Sequence, residues 1–273
     1  MARVSERRLS PGGELAEGSP SADEADELPR MTLLEHLEEL RTRIIRSLLA
    51  LLVGFAACFA FAKQIYQVLA RPVVPFIEGG KLSFLRVTDP FIVYVKVALL
   101  AGVFLMSPFI LYQVWKFVSP GMYSREKRYA LPFVFFGSTF FLAGGLFGYF
   151  IAVPFAARFL ILEMGENFEP VITVDFWLNF LINVLLGLGI MFELPILIFM
   201  LAMLGVVTPG FLLKHFRWAV LIIFLVAAII TPTPDIVNLC VVAVPTILLY
   251  LLGVAGAAFA LRLRRKRAAA AEA

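Results

Sequence analysis

Long runs of apolar residues, separated by short polar segments, most strongly limit what this chain can fold into. Five of them occupy residues 47–62, 90–117, 129–153, 176–204 and 236–261. They lack the alternation of barrel strands and are too long for them, whereas a helix satisfies its own backbone hydrogen bonds in lipid. Only 16% of the residues are charged, against about 25% in soluble domains. The sequence therefore predicts an all-α, polytopic membrane protein.

A sixth apolar run, residues 218–230, is shorter than the others. A helix needs about 20 residues to cross a hydrocarbon core of about 30 Å. Thr208-Pro209 before the run is typical of an N-cap and the first position of a helix. We therefore count six spans and expect the bilayer to be thinned or the fifth span to be shielded by its neighbours.

Lysine and arginine are concentrated on one side of the predicted spans, which sets the orientation. They cluster in the N-terminal segment, in the second-to-third connection and in the C-terminal run RLRRKR. Because basic segments stay on the cytosolic side, both termini are predicted to be cytosolic. Lys96, near the outer end of the second span, is expected to extend its amine to the interface.

Three regions follow from composition. Residues 1–30 are rich in Ser, Pro, Gly, Asp and Glu and lack an apolar core of signal-peptide length, which predicts a disordered cytosolic tail. Residues 31–262 form the six-span core, and residues 263–273 a basic-to-alanine cytosolic tail. Pro108, Pro195 and Pro245 lie inside spans and predict kinks.

The segment MTLLEHLEELRTRIIR, residues 31–46, predicts an amphipathic helix that leads into the first span. Thr32 and Glu35 have the spacing of a capping box. Two interpretations of Glu39 stay open at this point. It can pair locally with Arg43, four residues on, or it can bind an extended cationic partner at the membrane surface.

Glu126 lies in the polar connection SPGMYSREKR, where Ser124 can cap the third span. The carboxylate can simply interact with the helix dipole. Alternatively, Glu126 and the acids of the amphipathic helix form two anionic points on a basic surface. Such a pair suits a ligand with two guanidinium groups, because each can bind a carboxylate through two hydrogen bonds.

Glu193 is an acid near the predicted bilayer centre. Ionisable residues at this depth are candidate functional sites, although a neutral carboxyl can also join two helices. A proton-coupled carrier of small solutes that uses Glu193 as its proton site is therefore an alternative function.

Motifs for other chemistry are missing from the sequence. It contains no phosphate-binding loop, no zinc-binding His-Glu pattern and no G-x-S-x-G. Its two cysteines, Cys58 and Cys240, lie inside apolar runs, and its two histidines are far apart. We therefore expect no enzymatic activity, no cofactor or metal and no nucleic-acid partner.

Four motifs in order carry a resemblance to a known family. They are HLEELRTR before the first span, SPFILYQVWKFVSPGMYSREKR at the second-to-third connection, GIMFELP in the fourth span and TPTPD between the last two. Over residues 31–261 the chain resembles TatC, the multispanning core of the twin-arginine protein translocase. The resemblance implies a concave, cup-like fold of six helices in the cytoplasmic membrane that receives folded precursors, driven by the proton motive force.

The resemblance also implies roles for individual residues. Glu39 and Glu126 match the acids that bind the paired arginines of a signal peptide. Four further residues match positions that the family uses in and around that cytosolic site: Arg41, Pro72, Pro108 and Phe117. Glu193 matches the intramembrane polar position and Asp235 the acid that begins the last helix. The implied partners are TatA- and TatB-type subunits with one span each, further copies of the chain, and membrane lipids.

Overall fold

The computed structural model of the chain describes residues 33–77, 80–118, 130–168, 171–231 and 235–271, and the side chains within these ranges except those of residues 33, 130 and 263–271. Helices dominate this described part. In order they are α1 (Leu33–Phe59), α2 (Ala62–Ala70), α3 (Asp89–Val118), α4 (Ala130–Phe147), α5 (Val153–Arg158), α6 (Val174–Phe192), α7 (Leu194–Met203), α8 (Pro209–Lys214), α9 (Phe216–Ile230) and α10 (Ile236–Ala271). The all-α prediction is confirmed.

Helical stretches of the described residues include five that are long and apolar enough to cross a membrane. They are Leu34–Phe59, Asp89–Val118, Leu131–Glu163, Val174–Met203 and Ile236–Arg262. The apolar helix Phe216–Ile230 is shorter, as the sequence predicted. At 15 residues and 1.5 Å per residue it is about 22 Å long, less than a hydrocarbon core of about 30 Å.

The amphipathic segment and the first span form one helix, α1. Its 27 residues correspond to about 40 Å. The predicted capping residue Thr32 lies outside the described residues. We call the end of the helix bundle where α1 begins and α3 ends the N-terminal face, and the other end the opposite face.

The third span is longer than predicted. The apolar run was predicted to end at residue 153, but the chain stays helical to Glu163 through two π-helical turns, Gly148–Ala152 and Phe159–Glu163. Pro154 removes one backbone hydrogen bond, and the wider π turn directly before it lets the helix continue around that gap. The outer connection to α6 is correspondingly shorter.

The two connections at the opposite face are joined to each other. Ser83 and Thr173 form a parallel β-bridge, in which the Val174 N–H donates to the Ser83 carbonyl at 2.8 Å. In addition, the Trp177 indole donates to the Leu69 carbonyl at 3.2 Å and Tyr149 donates to the Val68 carbonyl at 2.7 Å. These contacts hold α2 against the start of α6 and against the π turn Gly148–Ala152 of the third span.

Two glycines bring α1 and α3 close together. A Cβ atom on Gly102 would lie 2.9 Å from the backbone nitrogen of Phe55, and one on Gly54 would lie 2.7 Å from Met106 Cγ. Contacts this short are possible only without side chains, as at many helix crossings in membranes. The spacing of α1 and α3, and hence of every residue pair between them, depends on this crossing.

The prolines inside the spans have different consequences. Pro195 follows a break at Glu193 that separates α6 from α7, at the position where a kink was predicted. By contrast, α3 continues past Pro108 and α10 past Pro245. Pro108 cannot donate a backbone hydrogen bond to the Phe104 carbonyl, but the Ser107 hydroxyl donates to that carbonyl at 2.9 Å.

Candidate functional site

Glu39 and Arg43 form an ion pair at the N-terminal face. Arg43 Nη2 lies 2.8 Å from Glu39 Oε1, the i,i+4 arrangement that the sequence allowed. The two side chains are only 14% and 18% exposed, respectively. This pair is therefore shielded from solvent, unlike the exposed helical pairs that contribute a few tenths of a kcal/mol.

Arg43 also connects α1 to α3. Its Nη1 donates a long hydrogen bond of 3.4 Å to Oε1 of Gln113, whose residue is 4% exposed. Gln113 was not among the residues singled out in the sequence. Only its polarity within an otherwise apolar stretch of α3 could have marked it.

The ion pair leaves two buried polar atoms without a hydrogen-bond partner among the described residues. They are Glu39 Oε2 and Arg43 Nε. An unsatisfied buried polar atom costs about 1–3 kcal/mol, and more when the group is charged. Arginine and a carboxylate normally form two parallel bonds, so the single bond leaves Glu39 with an oxygen available for a further donor.

Two cavities open beside this pair. The first, which we call the acidic pocket, has a volume of about 300 Å³ and is lined by Glu35, Glu38, Glu39, Thr42, Arg43 and Arg46. The second, which we call the α1–α3 groove, has a volume of about 260 Å³. It is lined by Leu40, Arg43, Ile44, Ser47, Leu48, Leu51, Ile110, Gln113, Val114 and Phe117. A carboxylate-rich pocket thus adjoins a largely apolar groove.

The other residues predicted for this site are distributed unevenly. Phe117 stacks on His36 with ring centroids 4.4 Å apart, so it lies at the N-terminal face with Glu39. Arg41 is an exposed residue of α1. Pro108 is in α3, nine positions before Phe117, or about 13 Å along the helix axis. Glu126 lies outside the described residues.

The structure does not bring Pro72 to this set, which corrects the grouping expected from the sequence. Pro72 follows α2, two residues after its last residue, Ala70. Its neighbour Val73 is fully buried in the main apolar core together with Trp177 near the start of α6. Because about 20 residues of α1, or about 30 Å along its axis, separate residue 39 from the end of the helix that leads into α2, Pro72 belongs to the opposite face.

Glu193 lies at the break between α6 and α7 and lines an apolar cavity of about 310 Å³. The cavity is shared with Leu111 of α3, Phe133 of α4 and Ile223 of α9. Oε1 of Glu193 is buried and has no hydrogen-bond partner among the described residues. The predicted intramembrane acid therefore lies in an apolar setting.

Asp235 directly precedes α10 and acts as its capping residue. Its Oδ1 accepts from the Asn238 backbone N–H at 2.7 Å, and its Oδ2 accepts from the Asn238 side-chain amide at 2.8 Å. Its role at the start of the last helix thus has a local structural basis. It lies toward the opposite face, since its partner Asn238 lines a small cavity together with Ala156 and Phe180.

A second polar cluster was not recognised in the sequence. Lys96 of α3 lies 2.7 Å from Asp175 Oδ1 and donates to Asn179 Oδ1 at 2.8 Å, both on α6. Its amine therefore pairs with another helix, a contact that the sequence analysis did not predict. The acid lies 79 positions away in sequence, so spacing gave no signal of the pair.

Comparison with known proteins extends over most of the chain. The family model described as Sec-independent protein translocase protein (TatC) matches residues 35–245. The TatC protein of Koribacter versatilis is 46% identical over 268 residues, covering 93% of this chain and 98% of that protein. The TatC protein of Aquifex aeolicus is 37% identical over 225 residues, covering 81% and 92%.

The chain is also similar to solved structures of TatC proteins. A crystal structure of a twin-arginine translocase receptor, TatC, is similar with a TM-score of 0.72 at 35% sequence identity. It covers 83% of this chain and 100% of that one. Since the family model spans more than half of the chain and the fold agrees, the chain belongs to the TatC family of Sec-independent protein translocase proteins.

Proposed function

We propose that this protein is the signal-peptide receptor and assembly core of a twin-arginine translocase. The observation that carries the proposal is the second oxygen of Glu39, buried beside the acidic pocket and without a hydrogen-bond partner among the described residues. A guanidinium is the side-chain group best suited to such an oxygen, because it offers several donors in a planar fork. Glu126 would supply the second carboxylate for a pair of arginines.

The wider assignment follows from the family. The protein would sit in the cytoplasmic (inner) membrane as a concave scaffold of six spans, with both termini and the N-terminal face cytosolic. It would work with TatA- and TatB-type single-span subunits and further copies of itself, and export folded precursors using the proton motive force. Residues 1–30 and 263–273 would be cytosolic tails on either side of the core.

The solute-carrier alternative is not proposed. The relatives are named as protein translocase components, and Glu193 has no polar partner in its cavity among the described residues. A non-enzymatic transport role agrees with these names.

The proposal predicts that Glu39→Gln weakens binding of a twin-arginine signal peptide by about tenfold, because a charge-assisted hydrogen bond becomes a neutral one. Glu126→Gln is expected to have a similar effect. Binding is measured by fluorescence anisotropy with a labelled synthetic signal peptide and the purified full chain in lipid nanodiscs.

Glu38→Gln is the matched control, since Glu38 lines the same pocket but is exposed. It removes the same charge and is expected to change the affinity by less than about threefold, the scale of an exposed charge interaction. Equal affinities for the Glu39→Gln variant and the unaltered protein would contradict the receptor proposal.

A further inference from the structure

Arg43 occupies a position that the receptor proposal does not yet use. Among the described residues it is the only one that lines both the acidic pocket and the α1–α3 groove. Its guanidinium therefore stands between a pocket rich in carboxylates and a groove that is mostly apolar.

Arg43 also presents to Glu39 the same chemical group that the proposed ligand would present. It does so incompletely, since Nη2 bonds one carboxylate oxygen at 2.8 Å while Glu39 Oε2 and Arg43 Nε have no hydrogen-bond partner among the described residues. In this i,i+4 pair the guanidinium therefore bonds only one of the two carboxylate oxygens. A guanidinium arriving on a separate peptide can approach Glu39 in the geometry that Arg43 does not reach.

Gln113 gives Arg43 an acceptor that does not depend on Glu39. Its Oε1 lies 3.4 Å from Arg43 Nη1, and the residue is 4% exposed. If Nη2 leaves Glu39, Nη1 can keep or shorten its bond to Gln113. Displacing Arg43 therefore does not leave its charge without a hydrogen bond.

We propose that Arg43 is an intramolecular competitor, whose guanidinium binds Glu39 until an arginine of the incoming peptide replaces it. The inference rests on the proposed function, because it takes a peptide with paired arginines as the ligand. Competition of this kind lowers affinity and raises specificity. A lysine is a compact charge without the planar fork, so it exchanges less well with Arg43 than an arginine does.

The inference is tested by comparing Arg43→Gln with Arg46→Gln. Both variants remove one positive charge from the acidic pocket, but only Arg43 pairs with Glu39 among the described residues. Arg43→Gln is expected to tighten binding of a diarginine peptide by about tenfold relative to Arg46→Gln, because one charge-assisted hydrogen bond no longer has to be broken. It should also reduce the preference for that peptide over its dilysine counterpart.

A second measurement uses the unaltered protein, so it does not depend on whether a variant folds. Phenylglyoxal modifies accessible arginines, and mass spectrometry locates the modified residue. Addition of the diarginine peptide is expected to increase modification of Arg43, because the side chain is released from Glu39. Modification of Arg43 that stays unchanged or decreases would overturn the inference.

The outcomes separate the two proposals. If the affinity for the peptide depends on Glu39 but Arg43→Gln weakens binding or matches Arg46→Gln, the competitor role is wrong and the receptor role stands. If Glu39→Gln does not affect the affinity, the receptor role itself is wrong.

Discussion

Gly102→Ala is expected to destabilise the protein by about 3 kcal/mol, because a methyl group at this position has no space to occupy. Its Cβ would lie 2.9 Å from the Phe55 backbone nitrogen and 3.1 Å from the Gly54 carbonyl carbon. Backbone atoms cannot move aside as a flexible side chain does, so α1 and α3 must separate. The thermal unfolding midpoint in detergent should fall by roughly 9 °C, at about 3 °C per kcal/mol for a chain of this size.

The same substitution should reach the N-terminal face. The Arg43–Gln113 hydrogen bond spans α1 and α3 and is already 3.4 Å long. A small increase in the distance between the helices would break it. Signal-peptide binding is therefore expected to change together with stability, although Gly102 lies 11 positions before Gln113 in α3.

Gly256→Ala is the matched control for this prediction. Gly256 is also a helical glycine in a long apolar helix, but its added Cβ would meet Phe199 side-chain atoms no closer than 3.7 Å, an ordinary contact. Its unfolding midpoint should change by less than about 3 °C, that is, by under 1 kcal/mol. Equal losses at the two positions would show that the α1–α3 crossing has no special role.

Features within one helix or one turn could be predicted from the sequence. The apolar runs predicted the spans, because a helix in lipid satisfies its own backbone and needs no information from distant residues. The break at Glu193 and Pro195, the short helix Phe216–Ile230 and the Glu39–Arg43 spacing are local in the same sense. The predicted end of the third span was wrong, because a π turn before Pro154 allowed the helix to continue.

Features that depend on helix packing could not be predicted. Gln113 meets Arg43 from 70 positions away, and only because two glycines bring α1 and α3 together. Motif position suggested that Pro72 belonged with Glu39, yet motif position carries no information on which face a residue occupies. Whether Pro72 lies near Glu39 can be decided only from the fold.

Lys96→Met is expected to destabilise the protein by about 3 kcal/mol, because it leaves the partly buried Asp175 without its cation. Lys96 and Asp175 are 31% and 25% exposed, and their 2.7 Å contact joins α3 to α6. Asn179 shares the cluster through Lys96 and also donates to Asp175 at 3.2 Å, so one hydrogen bond to the carboxylate would remain. The thermal unfolding midpoint in detergent should fall by roughly 9 °C.

Two further variants decide whether the charge is responsible. Lys96→Met combined with Asp175→Asn removes the uncompensated carboxylate and should recover most of the lost stability, giving a coupling energy of about 2 kcal/mol in a double-mutant cycle. Arg86→Gln is the comparison, since Arg86 is 66% exposed and Asp89 keeps hydrogen bonds from the Leu85 and Arg86 backbone N–H groups. Additive effects at positions 96 and 175 would mean that the pair only fills space between α3 and α6.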